Sequence, residues 1–416
     1  MRVTSVARIR MDPEIALAAR ALAAGDVLGA LKRVALRNDP PALALRGIAM
    51  ARLGDFVRAK VLLKRAVRAF GPNDAVPRAR CLVAIAEIAL VSRDLSGAPA
   101  SLEAARVTLE AHGDRLNAAH AAHLEVRRLL LVGRPQEAER ALARVEPAPL
   151  PPALRAAHEL VVAAVALRHL QTASARAALA RAERAARVAG IAALLAEVKS
   201  AALVLKTPAA RLIARGQERL LRLDEVEALL ASPTLIVDTC RHVVRDGRAA
   251  VSLVRRPVLL DLARILAEAW PNDVSRGALI TRAFEARIPN ESHRGRLRVE
   301  MGRLRRKLVA LADVSATMRG FALSPRRVRD VAVLAWPVED EHARLRAFLA
   351  DGESWSSSAL AVAMGASQRT VQRGLDALAT QGKVQALGRG RARRWTTPPA
   401  PEFATSLLLP FSLVMG

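Results

Sequence analysis

From about residue 13 to residue 230, apolar positions recur at three- and four-residue intervals among Ala, Leu, Arg and Glu. That period predicts α-helix almost throughout. Near Ser232 the texture changes. Short β-branched runs appear at Leu235-Ile236-Val237, Val243-Val244 and Val251-Ser252-Leu253, with the turn signal Asp246-Gly247 between them, so three strands and a domain boundary at about 225–232 are expected. Helices are predicted over 259–270, 272–284 (with Ser275 as a cap) and 293–311, followed by a strand-forming pair over 316–323. In the third of these helices Leu297, Met301, Leu304 and Leu308 make one apolar stripe. The opposite face carries Gly295, Val299, Gly302, Arg303 and Arg306, flanked by Arg296 and Arg298; residues 294–307 hold seven cations against the single anion Glu300. Each outward glycine costs a helix roughly 1 kcal/mol. Two of them on a cationic face suggest that something must approach it closely, as a phosphate backbone would.

A second such pattern follows. Residues 331–336 read as a strand broken by Pro337, and 341–350 as a helix with Leu345, Phe348 and Leu349 apolar. Beyond Trp355, small Ala361 suits a helix crossing, Gly365 a left-handed turn and Ser367 an N-cap. Val371, Leu375 and Leu378 then bury one stripe, while Arg369, Gln372 and Arg373 point away and Gln368 stands at the exposed N-terminal end. A Gly388-Arg389-Gly390-Arg391 tip joins two short strands that end at Trp395.

Charge changes the picture only where it clusters. The net charge is +26, which invites a polyanion. It is spread along the chain, with 29 Lys and Arg against 17 Asp and Glu from Ala231 onward and 36 against 22 before it. Arg outnumbers Lys 58 to 7, a bias that an Arg/Ala-rich bacterial genome would itself produce. With 3% aromatic residues and no Tyr, little is available to stack unpaired bases, so duplex is favoured over single strands.

The remaining composition narrows the classes. A hydrophobic content of 52% and a mean hydropathy of +0.17 exclude a mostly disordered chain. Two cysteines, Cys81 and Cys240, make no disulfide framework. The opening residues lack a signal-peptide core, and no apolar run nears the ~20 residues of a membrane span. A cytoplasmic protein with no membrane partner is expected. Walker loops, His-Glu-x-x-His, Cys-x-x-Cys and nucleophile elbows are absent from the sequence. His120 and His123, one helical turn apart, read as packing, and Cys240 with His242 is equally weak. No enzyme, metal or cofactor is expected.

Three resemblances sharpen these readings. Gly47, Met50, Gly54, Phe56, Ala59, Leu63, Ala66 and Gly71-Pro72 resemble one tetratricopeptide repeat, with small residues letting paired helices approach while Phe56 and Leu63 fill the groove. Leu129, Gly133, Ala138 and Leu142 form a weaker echo. Val274-Ser275-Arg276, the run from Arg296 to Leu308, and Thr317-Met318-Arg319-Gly320-Phe321 resemble the winged-helix effector domain of OmpR/PhoB-type regulators. That resemblance implies a long helix in the major groove, with Arg303 at a base edge, Arg305 on phosphate and Arg319 in a minor-groove wing, beside Arg296, Arg298 and Arg306. No receiver domain precedes it, so the family's aspartyl-phosphate switch is not implied. The later segment is similar to MarR- or DeoR-like winged helix-turn-helix domains, which implies DNA contacts from Gln368, Arg369, Gln372, Arg373, Arg389 and Arg391.

The expected fold class is therefore mainly α: an α-helical, tetratricopeptide-like repeat domain over 13–230, then two α+β winged-helix domains over 233–325 and 341–397. A connector over 326–340 and an apolar tail over 398–416 complete it. The expected function is a DNA-binding transcriptional regulator. Its partners would be double-stranded DNA, a protein or peptide on the helical repeats, and RNA polymerase. The alternative is an interaction scaffold whose winged helices contact protein.

Overall fold

The computed structural model describes residues 12–92, 99–145, 150–254, 256–284, 290–337, 342–349, 355–364, 366–387, 390 and 393–396. The protein is mainly helical with a smaller β component, and it divides into two compact units. One contains residues 1–169, 174–201 and 345–416; the other contains 170–173 and 202–344.

The first unit opens with α1 (Pro13–Ala23), α2 (Val27–Val34), α3 (Pro40–Arg52), α4 (Phe56–Ala69), α5 (Ala75–Val91), α6 (Pro99–Ala111), α7 (Arg115–Leu131), α8 (Pro135–Leu142), α9 (Pro152–Arg168), α10 (Thr172–Ala189) and α11 (Ala192–Leu203). A repeated local device turns the chain. Gly25, Gly54 and Gly113 take φ of +87°, +81° and +76°, a region that glycine enters without a Cβ penalty. The next residue, Asp26, Asp55 or Asp114, donates its N–H back to Ala21, Met50 or Leu109 and so closes one helix. Its carboxylate then accepts the N–H of Gly29, Arg58 or Asn117, at 2.8, 3.0 and 3.3 Å, and opens the next. One Gly-Asp dipeptide thus stops a helix and starts another.

The expected close approach of α3 and α4 is present. Ala59, Leu63 and Ala66 are fully buried, and a Cβ on Gly47 would stand 2.7 Å from Leu63 Cγ. Among the described residues, no helix is long and apolar enough to cross a membrane.

The second unit runs β1 (Ala210–Ala214), β2 (Gln217–Leu221), α12 (Leu223–Ala231), β3 (Thr234–Asp238), β4 (Val243–Arg245), β5 (Ala250–Ser252), α13 (Pro257–Ala269), β6 (Val274–Ser275), α14 (Arg276–Phe284), α15 (Glu291–Leu308), β7 (Ala312–Ala316), β8 (Gly320–Pro325) and β9 (Asp330–Ala335). The three strands anticipated after Ser232 are β3, β4 and β5, and Asp246 Oδ1 accepts the N–H groups of Arg248 and Ala249 at their turn.

Both expected limits of this region need correction. Its larger sheet has the order β2-β1-β9-β3-β4-β5, so the boundary near 225–232 falls inside it. β1 and β2, which lie in the stretch expected to be helical, belong to this sheet. The expected connector over 326–340 is likewise part of the body. β9 lies between β1 and β3, parallel to β3 with Leu235 opposite Val331 and Val237 opposite Val333, and Val331 to Ala335 are all buried. The physical cause is an unbroken apolar run, Val331-Ala332-Val333-Leu334-Ala335, which a solvated tether could not keep in water. A smaller sheet, β6-β8-β7, sits on the same core as α13, α14 and α15, where Leu262, Leu266, Leu279, Leu304 and Leu311 are fully buried.

The chain then returns to the first unit with α16 (Ala343–Leu349), α17 (Ser357–Met364), α18 (Gln368–Thr380) and the hairpin β10 (Gln385–Leu387) and β11 (Arg394–Thr396). Trp355 and Trp395 are both buried and exchange backbone hydrogen bonds of 2.8 and 2.7 Å. They centre a small core with Leu349, Leu360, Leu375 and Leu378, on which Leu131 of α7 also packs.

Candidate nucleic-acid interface

α15 starts at Asn290, whose side chain accepts the N–H of His293 at 2.9 Å. Leu297, Met301, Leu304 and Leu308 are buried as their spacing required, which fixes the rotation of the helix. The other face is therefore turned outward: Arg296, Arg298, Arg303, Arg305, Arg306 and Lys307 are all exposed, and Val299 is 54% exposed. A Cβ added at Gly295 or Gly302 would meet nothing within 4 Å. Among the described residues, packing gives no reason for either glycine.

The cations of this face differ in what holds them. Arg296 lies over the Phe284 ring, 4.5 Å from its centroid. Arg303 is held by Glu300 at 2.6 Å. Arg305, the expected phosphate contact, is exposed, and its Nε also donates to the Val314 carbonyl at 2.5 Å with its guanidinium 5.7 Å from the Phe321 ring centroid. It ties α15 to the β7–β8 hairpin. Arg306 and Lys307 remain exposed beside Arg256, and sequence reading missed both Arg256 and Lys307 as candidates. Arg256 falls just before a predicted helix, where nothing in the local pattern signals that it faces α15.

The hairpin tip is rigidly built. Thr317 Oγ1 donates to Asp273 at 2.6 Å and accepts the Gly320 N–H at 2.9 Å. Arg276 donates to the carbonyls of Met318 and Thr317, at 2.9 and 3.1 Å. A Cβ on Gly320 would fall 1.8 Å from the Val274 carbonyl oxygen, so only glycine lets β6 and β8 meet there. The outcome is a tip that presents a fully exposed Met318 and Arg319, whose side chain is 77% exposed and 3.9 Å from Asp273.

α18 repeats the logic on a smaller scale. Ser367 caps it by accepting the Thr370 N–H at 3.1 Å, and Val371, Gly374, Leu375 and Leu378 are buried. Arg369 and Arg373 are exposed and Gln372 is half-buried. Gln368, also exposed, donates to Ser357 Oγ at 3.3 Å. Arg389 and Arg391, the expected second wing contacts, lie outside the described residues, as does the tail over 398–416. Arg393, which was not singled out, lies 4.1 Å from the Trp395 ring centroid and 3.6 Å from Asp376.

The helical region holds two further features. A hollow of about 700 Å³ between α6, α7 and α8 has a floor that includes Ala118, Ala119 and Ala122 and a rim of both charges, among them Glu103, Arg115 and Arg140. Deeper, His120 Nε2 meets Glu87 at 3.0 Å and His123 Nε2 meets His158 Nδ1 at 3.0 Å, all four side chains being buried. Burial, aided by the neighbouring His158, pushes His123 down to about 3, and burial lowers His158 as well. Among the described residues no group of three or more His, Cys, Asp or Glu is placed to hold a metal.

No protein-family model matches the chain, and neither a curated protein nor a solved structure matches it.

Proposed function

We propose that the protein is a DNA-binding transcriptional regulator acting in the cytoplasm, with α15 entering the major groove and the β7–β8 tip serving as a wing. One observation carries the reading. α15 turns its apolar stripe into the core and six cations outward, around two glycines where an added Cβ would meet nothing within 4 Å among the described residues. A helix gives up roughly 1 kcal/mol at each such glycine, and close passage of a phosphate backbone or base edge accounts for it. An exposed Arg319 on a braced hairpin suits a narrow, electronegative minor groove. In this reading the β3-to-β9 region is a winged helix with an enlarged sheet, and α16–α18 with β10–β11 is a second one whose α18 offers Arg369 and Arg373.

The helical region is proposed as a tetratricopeptide-like module that receives a protein or peptide in the hollow between α6, α7 and α8. Its small-residue floor leaves room for a partner's side chains.

Electrophoretic shift of random-sequence duplex by the full chain, measured from 50 to 200 mM salt, tests the reading. With about six phosphates contacted, the log–log slope of affinity against salt should be near −5. Salt-independent binding, or none, would overturn it.

A further inference from the structure

Arg256, Arg303, Arg306 and Lys307 converge, with Leu259, around a hollow of about 410 Å³, and among the described residues no carboxylate lines it. Arg256, Arg306 and Lys307 are exposed, so packing does not explain their meeting. Glu300 offsets Arg303 alone. Like charges gathered at close range repel one another by Coulomb's law, and an anion between them reverses the sign. The start of α13 opens onto the same place. Its first helical hydrogen bond of this turn runs from Leu260 N to Arg256 O, so the N–H groups of Val258 and Leu259 precede it, at the positive end of the helix dipole.

We infer that this hollow seats one phosphodiester of the duplex backbone, between the start of α13 and the C-terminal half of α15. The inference rests on the DNA reading above and adds a contact from outside the recognition helix. It also reassigns Arg303. That residue lines the hollow and is steered by Glu300, so it engages backbone, and base discrimination falls to the outward positions nearer the start of α15, Arg298 among them. A free phosphate or pyrophosphate offers the same chemistry as a phosphodiester, and the test separates the two.

The full chain and its R256Q, K307Q and double variants are titrated with a random-sequence duplex and with a duplex selected for tight binding, across 50–200 mM salt. Each lost cation should make the log–log slope shallower by about 0.9, with the selected-to-random affinity ratio unchanged. R303Q should behave the same way. Unchanged thermal midpoints confirm that the exposed substitutions leave the fold intact. If the wild-type chain binds duplex and the double variant keeps its slope, the phosphodiester seat is wrong. Calorimetry with pyrophosphate supplies the other arm: saturable binding lost in the double variant, with the duplex slope unmoved, would overturn the inference in favour of a small-anion site. Failure of the wild-type chain to bind any duplex would instead defeat the DNA reading itself.

Discussion

Arg305 Nε donates to the Val314 carbonyl across the junction of α15 and β7, at 2.5 Å. The bond engages the Nε and holds the hairpin at a fixed angle to the helix, while the side chain as a whole stays exposed. Arg305→Ala should destabilise the unit by about 1 kcal/mol, the worth of one hydrogen bond. Its loss of duplex affinity should resemble that of Arg276→Ala, which releases the hairpin tip. Thermal melts and duplex titrations of both variants check this. An Arg305 variant that keeps full stability and loses only salt-dependent affinity would return the residue to the phosphate.

The glycines of α15 should separate stability from binding. Gly295→Ala and Gly302→Ala each place a methyl in open space and replace the weakest ordinary helix former by the best. Each should stabilise by about 1 kcal/mol, a rise of several degrees in melting temperature for a unit of this size. Duplex affinity should fall at the same time. A stabilised Gly302→Ala protein with undiminished affinity would mean that nothing approaches that face.

Acid should loosen the helical region through His123. Its folded value is about 3, held down by burial and by His158, against about 6.5 in an unfolded chain. The neutral ring is therefore the one the fold favours. The stability it contributes is complete above about pH 6.5 and is lost as pH falls toward 3. Between pH 7 and pH 5 the loss amounts to about 2 kcal/mol. Denaturant melts of the full chain at the two pH values should show it, and His123→Gln should flatten the dependence. An equally steep dependence in that variant would place the sensitive group elsewhere.

Fragment boundaries offer a fourth check. Residues 202–344 keep β1, β2 and α12, whereas 231–344 removes Ala210, Ile213, Leu221, Val226 and Leu230 from buried positions and bares one side of β9. The longer fragment should melt cooperatively. The shorter one should elute as aggregate in size-exclusion chromatography, because an uncovered inner strand pairs with other chains. Cooperative melting of both would show that β1 and β2 are dispensable.

What the sequence made legible was whatever a single periodic segment decides. Leu297, Met301, Leu304 and Leu308 announce a buried stripe, and their burial sets which arginines face out. β1 and β2 were not legible, since Ala-Arg-Leu-Ile-Ala and Gln-Glu-Arg-Leu-Leu are good helix formers locally. Pairing of Arg211, Leu212 and Ile213 with residues 333–335, more than a hundred positions away, overrides that preference. Gly216, at φ +75° beside Arg215 at φ +50°, was the one local sign of a hairpin. Within the candidate site, the outward set was legible from the helical period. The separate engagements of Arg303 with Glu300 and Arg305 with Val314 depend on neighbours that only the folded chain brings together, as does the meeting of Arg256 with Lys307.

The position of β9 has a consequence in time. β1 and β3 each hydrogen-bond to it, in opposite senses, yet it is the last strand of its sheet to be synthesised. Until Ala335 has left the ribosome, β1 with β2 and β3 with β4 can exist only as separate local pairs. Closing the sheet then spans contacts of high sequence separation, which are slow to form. α15 is complete in sequence well before that, but the sheet of its unit is not. A nascent chain halted before Asp330 would carry every arginine of α15 on an unfinished body, so the emergence of β9, rather than of α15 itself, completes the unit that presents this surface.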